Sequence, residues 1–451
     1  LALTDFHIKN YRSVRDAWLK LPRVTVIVGA NGSGKSNLYR AMYLVSSTAS
    51  GELARSIAEE GGMDSIMWSG KHGTHEEYKV NLSIKIDNLQ YDLALGMLGS
   101  AYETFEKDLQ IKRERVFVFK KGVKSRILSR TLGTIQARDT SGQMGDYTSR
   151  VGINESVLTG LREPHRYPEL SKLRQELLAW RFYHHFRTDK DSPLRRPQLP
   201  VATSIMAHDG NDLASALATI QQWGNWQKFE RSLDEAFPGA TVGIRTTSAG
   251  LRLNMRYPGL ERPLDASELS DGTLQYLCLL CSLYSLAAPP LLVLNEPETS
   301  IHPDLFEPLA RLLVSASEES QIWITTHSSE LSDYILDLTG YSPLVLEKVE
   351  GETRLVGVKV GDHPDDQEDD DEDNDDDEDE DDSQHAPSSL YKKSVSNPPG
   401  SQTKRKSKSK TSDTLNAKQT QIEWSVEQDP EAIAAAKKLE ELRKRLNKGG
   451  N

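Results

Sequence analysis

The stretch Gly29-Ala30-Asn31-Gly32-Ser33-Gly34-Lys35-Ser36 has the spacing GxxxxGK[ST], which suits one task, holding phosphate. Glycines let successive backbone N–H groups point into one concavity, and a helix opening at the end of the loop adds partial positive charge. In such a loop Lys35 reaches the β and γ phosphates and the Ser36 hydroxyl binds Mg²⁺, with Gly29, Asn31, Gly32, Ser33, Gly34 and Asn37 around the nucleotide. A second segment, Leu291–Glu298 (LLVLNEPE), runs four aliphatic residues into a polar end. Glu296 is there the candidate general base that orients a water. Asn295 stands where a metal-orienting acid would serve; its amide can accept from a metal-bound water but adds no charge. Ser270 and Gly272, within ELSDGTLQ, open a helix and offer a second anion-binding turn, although alone they read equally as a helix cap. Thr325-Thr326-His327-Ser328 follows a strand and puts His327 where it would donate to a terminal phosphate; alone, that histidine reads as structural. Together the four pieces predict ATP with Mg²⁺, and Lys35, Glu296 and His327 as the catalytic set.

These side chains need a scaffold that brings distant segments to one edge. Leu3 to Ile8 and Val24 to Val28 read as strands, and a helix starts near Lys35. From Leu251 a strand, a helix over Thr273 to Leu286, the strand Leu291 to Asn295, a helix from Pro303 to Ser317, the strand Gln321 to Thr325 and a helix from Ser328 follow. Such alternation predicts a mostly parallel sheet covered on both faces, whose carboxyl edge collects the loops. Between them, alternating runs at Tyr78–Ile86, Tyr91–Met97 and Arg115–Phe119 read as a β-rich insertion with helices over Glu169–Trp180 and Asp212–Phe237. The expected division is residues 1–60 and 251–361 as two halves of one α/β core, 61–250 as the insertion, 362–428 as a disordered acidic then basic linker, and 429–448 as a terminal helix.

The set GANGSGKS, ELSDGTLQ, LLVLNEPETSIHP and TTHSSEL resembles the ABC-type ATPases of the RecF/SMC branch, and among them the RecF-like predicted ATPases with an AAA-type core. The resemblance spans residues 1 to about 360. FHIKNYRSV is similar to that branch's N-terminal strand motif, which implies that Arg12 lies near the nucleotide. It further implies an ATP-sandwich homodimer, in which Ser270 and Gly272 of one copy close over the γ-phosphate held by Lys35 of the other. A role in double-strand break repair or chromosome maintenance through ATP-controlled DNA engagement is the function so implied. The competing expectation is a regulatory or anti-phage defence ATPase that switches a separately encoded effector. Ser36 and Ser270 are 234 residues apart; a transporter subunit keeps its two motifs much closer, and long coiled-coil members separate them by hundreds of heptad residues.

Charge must be located before it excludes anything. The 451 residues carry 55 Lys+Arg and 67 Asp+Glu, a net charge of -12. Sixteen of the 18 positions from Asp365 to Asp382 are acidic, residues 383–451 hold 14 basic and 7 acidic side chains, and residues 1–364 are left at only -3. The acidity therefore belongs to one run and does not argue against DNA. Two segments offer basic surface: Trp180–Arg187, which reads either as base-stacking sequence or as a strand with buried aromatics, and Lys112, Arg113, Arg115, Lys120, Lys121, Lys124, Arg126 and Arg130, which reads also as a solvated hairpin. Partners expected besides DNA are a second copy and an effector or repair protein on the terminal helix. Thr273 to Leu294 has no charge but contains Pro289-Pro290 and reads as helix then strand, so no membrane span is expected. Cys278 and Cys281 fall inside an apolar helix, where packing is the expectation rather than redox or zinc chemistry. With two cysteines and no leader pattern in LALTDFHIKNYRS, a reducing, cytoplasmic setting is expected.

Overall fold

The computed structural model describes residues 2–71, 78–99, 104–131, 134–148 and 150–356. Strands β1 (Leu3–Tyr11) and β2 (Val14–Lys20) form a hairpin, and β3 (Val24–Gly29) leads through the glycine loop into α1 (Lys35–Ser50). Short helices α2 (Leu53–Glu59) and α3 (Met63–Ile66) precede a meander of β4 (Val80–Ile86), β5 (Leu89–Met97), β6 (Leu109–Lys120), β7 (Val123–Thr131), β8 (Thr134–Arg138) and β9 (Met144–Asp146). The chain continues through α4 (Val157–Gly160), α5 (Pro168–Ala179), β10 (Arg181–Tyr183), α6 (Leu213–Trp223) and α7 (Trp226–Ala236). A small antiparallel sheet of β11 (Thr241–Thr247), β12 (Gly250–Arg256) and β13 (Leu264–Asp265) comes before α8 (Asp271–Leu283) and β14 (Leu291–Asn295). Last come α9 (Phe306–Ala316), β15 (Gln321–Thr326), α10 (Ser329–Thr339), β16 (Leu344–Val349) and β17 (Glu352–Leu355).

The expected parallel sheet is present in the order β10-β14-β15-β3-β16-β17, parallel throughout except for β17. Every residue of β14 and β15 is buried, because a strand covered on both faces exposes neither set of alternating side chains. Leu291, Val293 and Trp323 join one core with α1 and the strands β1, β2 and β4 to β8, while Leu292, Leu294, Ile322 and Ile324 join a second core with α6, α8, α9 and α10. Cys278 and Cys281 are fully buried in that second core, and burial pushes both thiols well above the ordinary range. No described helix is long and apolar enough to cross a membrane, and Thr273 to Leu294 is the helix α8 followed by β14.

Five details refine or correct the sequence reading. The hairpin partner β2 lies between the two N-terminal strands expected, and β1 pairs with β4, so the N-terminus starts an eight-stranded sheet, β2-β1-β4-β5-β6-β7-β8-β9. The short β10 pairs with β14, so the sheets do not divide at residues 60 and 250: segment 61–250 supplies an edge strand to the parallel sheet. The helix expected over 212–237 is two helices, because Gly224 ends α6 and the Asn225 side chain caps α7 by accepting from Lys228 N–H. In Trp180–Arg187 the aromatics Trp180, Phe182, Tyr183 and Phe186 are all core residues, which removes them as a base-stacking surface. Arg130 likewise leaves the basic patch: it is 2% exposed, stands 3.8 Å from the buried Glu114 and donates to the carbonyls of Gly152 and Ile153 at 2.8 and 3.0 Å. The acidic and basic linker expected over 362–428 and the helix expected over 429–448 lie outside the described residues.

Candidate active site

The glycine loop joins β3 to α1 and is shaped by left-handed backbone at Gly32 (φ 79°) and Gly34 (φ 109°), which non-glycine residues adopt at a cost. Gly34 also occupies a place without room for a Cβ, which would lie 2.1 Å from Thr353 Oγ1. Gly34 caps α1 without a side-chain acceptor, and no acidic residue lies in the first turn, so the helix start keeps its attraction for an anion. Lys35 is 5% exposed, and its Nζ donates to Gly29 O at 2.6 Å and Ala30 O at 3.3 Å. Burial lowers its pKa, against the opposing pull of Glu296 and Glu298. Ser36 and Asn31 are exposed, and the Ser33 hydroxyl is buried without a hydrogen-bond partner.

A chain of side-chain hydrogen bonds holds this loop from behind. Asn37 Nδ2 donates to Ser13 Oγ, Ser13 and Thr353 hydroxyls meet at 2.8 Å, and Thr353 Oγ1 donates to Ser33 O at 2.8 Å. Thr353 is 1% exposed and its N–H donates to Ser13 O, so β17 and the β1–β2 turn clamp the loop together. Sequence reading gave Thr353 no role, since its partners lie 320 and 340 residues away. Thr353→Val keeps the shape but strands the Ser13 hydroxyl and Ser33 carbonyl. A loss of about 1–3 kcal/mol is expected, read from the urea midpoint at unchanged slope, together with weaker nucleotide binding. The neighbouring Arg12 guanidinium is bound to Glu60 at 2.6 Å, an acceptor it shares with the Tyr11 hydroxyl.

At the carboxyl edge of β14 and β15, Asn295 is buried and its Oδ1 accepts from Thr325 Oγ1 at 2.8 Å. Glu296 takes left-handed backbone (φ 49°), and its N–H donates to Thr325 O at 2.8 Å. Strain of about 1–3 kcal/mol at a non-glycine residue here turns the carboxylate out of the strand line. His327 brings Nδ1 to 4.0 Å from Glu296 Oε2 and 3.2 Å from Glu298 Oε1. The structure therefore brings Lys35, Glu296 and His327 to one edge and adds Glu298, which the sequence motif contained without a role. His184, just past β10, lies tilted against Tyr39 with ring centroids 5.6 Å apart; burial, then Arg40 and His185, lower its pKa, and Glu296 opposes them. The oxygen donors at this edge, the Ser36 hydroxyl and the Asn295 amide, are hard ligands of the kind that suit Mg²⁺.

Ser270 and Gly272 sit at the start of α8. The exposed Ser270 caps that helix, its Oγ accepting from Thr273 N–H at 3.1 Å, and Gly272 is close-packed, a Cβ there falling 2.6 Å from Ser300 O. Arg195 organises the turn: its guanidinium donates to the carbonyls of Ala266 and Leu269 at 3.1 and 2.7 Å and to the Asp271 carboxylate at 2.6 Å. No local pattern marks Arg195, which lies more than 70 residues from each of these partners in the turn.

Comparison with known proteins gives the following likenesses. Solved SMC heads include one bound to the C-winged-helix domain of ScpA (13% identity, TM-score 0.46, covering 80% of this chain and 99% of that one) and one from Thermotoga maritima (18%, 0.38, 80% and 100%). A third, from Pyrococcus furiosus, has an extended coiled coil and is bound to the C-terminal domain of ScpA (14%, 0.43, 78% and 95%). Among curated proteins no relative matches. Residues 24–333, well over half of the chain and containing all four motifs, match the family described as "AAA domain, putative AbiEii toxin, Type IV TA system". The glycine loop here lies between a buried parallel strand and a helix, with Glu296 and Glu298 following β14 two strands away in the same sheet, and this chain belongs to that AAA-domain family of P-loop ATPases.

Proposed function

We propose that the chain hydrolyses Mg-ATP as a RecF/SMC-like ATP-sandwich homodimer whose closure controls engagement of DNA, in double-strand break repair or chromosome maintenance in the cytoplasm. The observation that carries the sandwich is the braced turn at α8: Ser270 is exposed, already in capping geometry, and held by Arg195. Such a turn, with the dipole of α8 behind it, is ready to receive the γ-phosphate held at Lys35 of a second copy. In each half-site the loop N–H groups and Lys35 hold the phosphates, Glu296 orients the attacking water, and His327 donates to the γ-phosphate. Ser36, and Asn295 through a water, would hold Mg²⁺, which when bound neutralises charge on the β and γ oxygens. Closure stores differential affinity, since ATP binds the closed dimer better than the open monomer, and hydrolysis releases it.

The outward face of the antiparallel sheet supports DNA as the controlled ligand. Lys85 lies over Phe119 and Lys124 over Phe117, each at 4.6 Å, and Arg126 stands opposite Phe117 in the register. Cations beside aromatic rings suit a phosphate backbone with its bases. A second reading, an ATPase that switches a separately encoded effector, is favoured by the family's description, which names a toxin and a toxin–antitoxin system.

Sedimentation and turnover with ATP, with and without duplex DNA, test both. Wild type is expected to dimerise with ATP and to turn over faster on DNA, the effect fading with salt. Arg195→Ala is expected to bind ATP as a monomer while its dimerisation weakens at least about tenfold, the equivalent of one lost charge-assisted hydrogen bond. A wild type that stays monomeric at saturating ATP sinks the sandwich, and indifference to DNA throughout favours the effector.

A further inference from the structure

Glu298 is a carboxylate whose cost of burial demands an account. It is 4% exposed, at the mouth of the turn after β14. Its Oε1 accepts from the Thr326 hydroxyl and from the His327 N–H at 3.2 Å, and the same oxygen lies 3.2 Å from His327 Nδ1. Its Oε2 is buried with no hydrogen-bond partner among the described residues. A buried carboxylate is retained only where charge or hydrogen bonds compensate it, and here the compensation converges on the His327 ring and backbone.

We propose that Glu298 is the positioning residue of His327: it accepts the Nδ1 proton, fixes the ring, and lets Nε2–H point away toward the γ-phosphate. This rests on the ATPase reading of the same site, and it assigns a task to a residue that touches no substrate itself. An imidazole with a carboxylate on Nδ1 has one tautomer and one orientation, and the carboxylate stabilises the doubly protonated ring that has a hydrogen to donate at each nitrogen. Glu296 does not substitute for it. Its nearer oxygen is 4.0 Å from Nδ1, beyond hydrogen-bond length, and its carboxylate is half-buried, open to the water it would orient.

The other charged groups around His327 leave this assignment intact. Lys35 feels both Glu296 and Glu298. His184, beyond β10, is near Glu296. On α10, Glu330 is engaged by Tyr334. Removing the Glu298 charge with its shape kept, Glu298→Gln, therefore takes away the partner on Nδ1 and leaves the ring free to turn. Turnover, read as kcat near neutral pH, falls about 10- to 100-fold, the usual loss when the outer partner of a functional histidine is removed. ATP binding to the monomer is expected to change less than about twofold, since Glu298 touches neither loop nor phosphate.

Histidine ¹⁵N spectra of the full chain across pH, with the His327 signals identified by their absence in His327→Gln, read tautomer and protonation without any turnover. The expected wild-type result is a neutral His327 carrying its proton on Nδ1, and in Glu298→Gln a ring with mixed tautomers. A wild-type His327 protonated on Nε2 when neutral overturns the proposal even if the variant does not fold. Kinetics supply the second arm: in a His327→Gln background, Glu298→Gln should add almost nothing, and a full further loss there would mean that Glu298 acts otherwise than through His327. Absence of turnover in wild type would fail the ATPase reading alone, because the spectra still decide what Glu298 does.

Discussion

Glu296→Gln is expected to lower ATP turnover by about 10²- to 10⁴-fold, the range a positioned general base contributes, while ATP still binds and the closed dimer accumulates. Gln matches Glu in shape, so the left-handed backbone at φ 49° and the N–H bond to Thr325 O are kept and the fold should melt as wild type does. What is lost is the acceptor for a proton of the attacking water. The binding energy that closes the dimer is untouched, and the release step that hydrolysis would supply is missing. Analytical ultracentrifugation with ATP should show a dimer in Glu296→Gln that outlives the wild-type dimer by the same factor as the loss in turnover. Turnover within tenfold of wild type would mean that another group orients the water.

Lys35→Ala is expected to abolish the site rather than slow it. The Lys35 ammonium is buried and held by the Gly29 and Ala30 carbonyls, so it is already placed where an incoming phosphate meets it. Each charge-assisted hydrogen bond lost is worth about 1.5–3 kcal/mol, which corresponds to ATP binding weaker by about 10- to 100-fold, with turnover reduced about 10²- to 10³-fold on top. Lys35→Met, which keeps the stem, should lose affinity to the same degree, separating charge from packing. Titration with a fluorescent ATP analogue reads both variants. Lys35 is also the cation nearest in influence to Glu296 and Glu298; without it the two carboxylates repel across the edge, and some loss of thermal stability should accompany the loss of binding. Unchanged affinity in both variants would remove the glycine loop as the phosphate site.

The parts of this protein legible in its sequence share a physical reason. The glycine loop, the strand Leu291–Asn295 and the buried pair Cys278 and Cys281 are set by local rules: glycines where backbone must turn left-handed, four aliphatics where a strand is covered on both faces, thiols inside an apolar run. Glu296 and His327 were legible because each follows such a strand directly. The helix break at Gly224 and the hairpin β1–β2 carry only a single glycine and a two-residue turn as signals, too weak to stand out in a polar context. Trp180–Arg187 kept two readings open, because interleaved aromatics and arginines look the same in sequence whether a sheet buries the rings or a nucleic acid stacks on them, and the structure buries the rings.

The sequence by itself determined that this is a phosphate-binding α/β ATPase and named the residues at the centre of its site, since those depend on neighbours within one turn or strand. Only the tertiary structure decided how that centre is held. Thr353 clamps the glycine loop from 320 residues away, Arg195 braces the Ser270 turn from 74 residues away, and Glu298 meets His327 across 29. Each is an ordinary polar residue whose partner is brought to it by the fold, for Glu298 and His327 by the parallel pairing of β14 with β15, which places together in space what no spacing rule can place together along the chain.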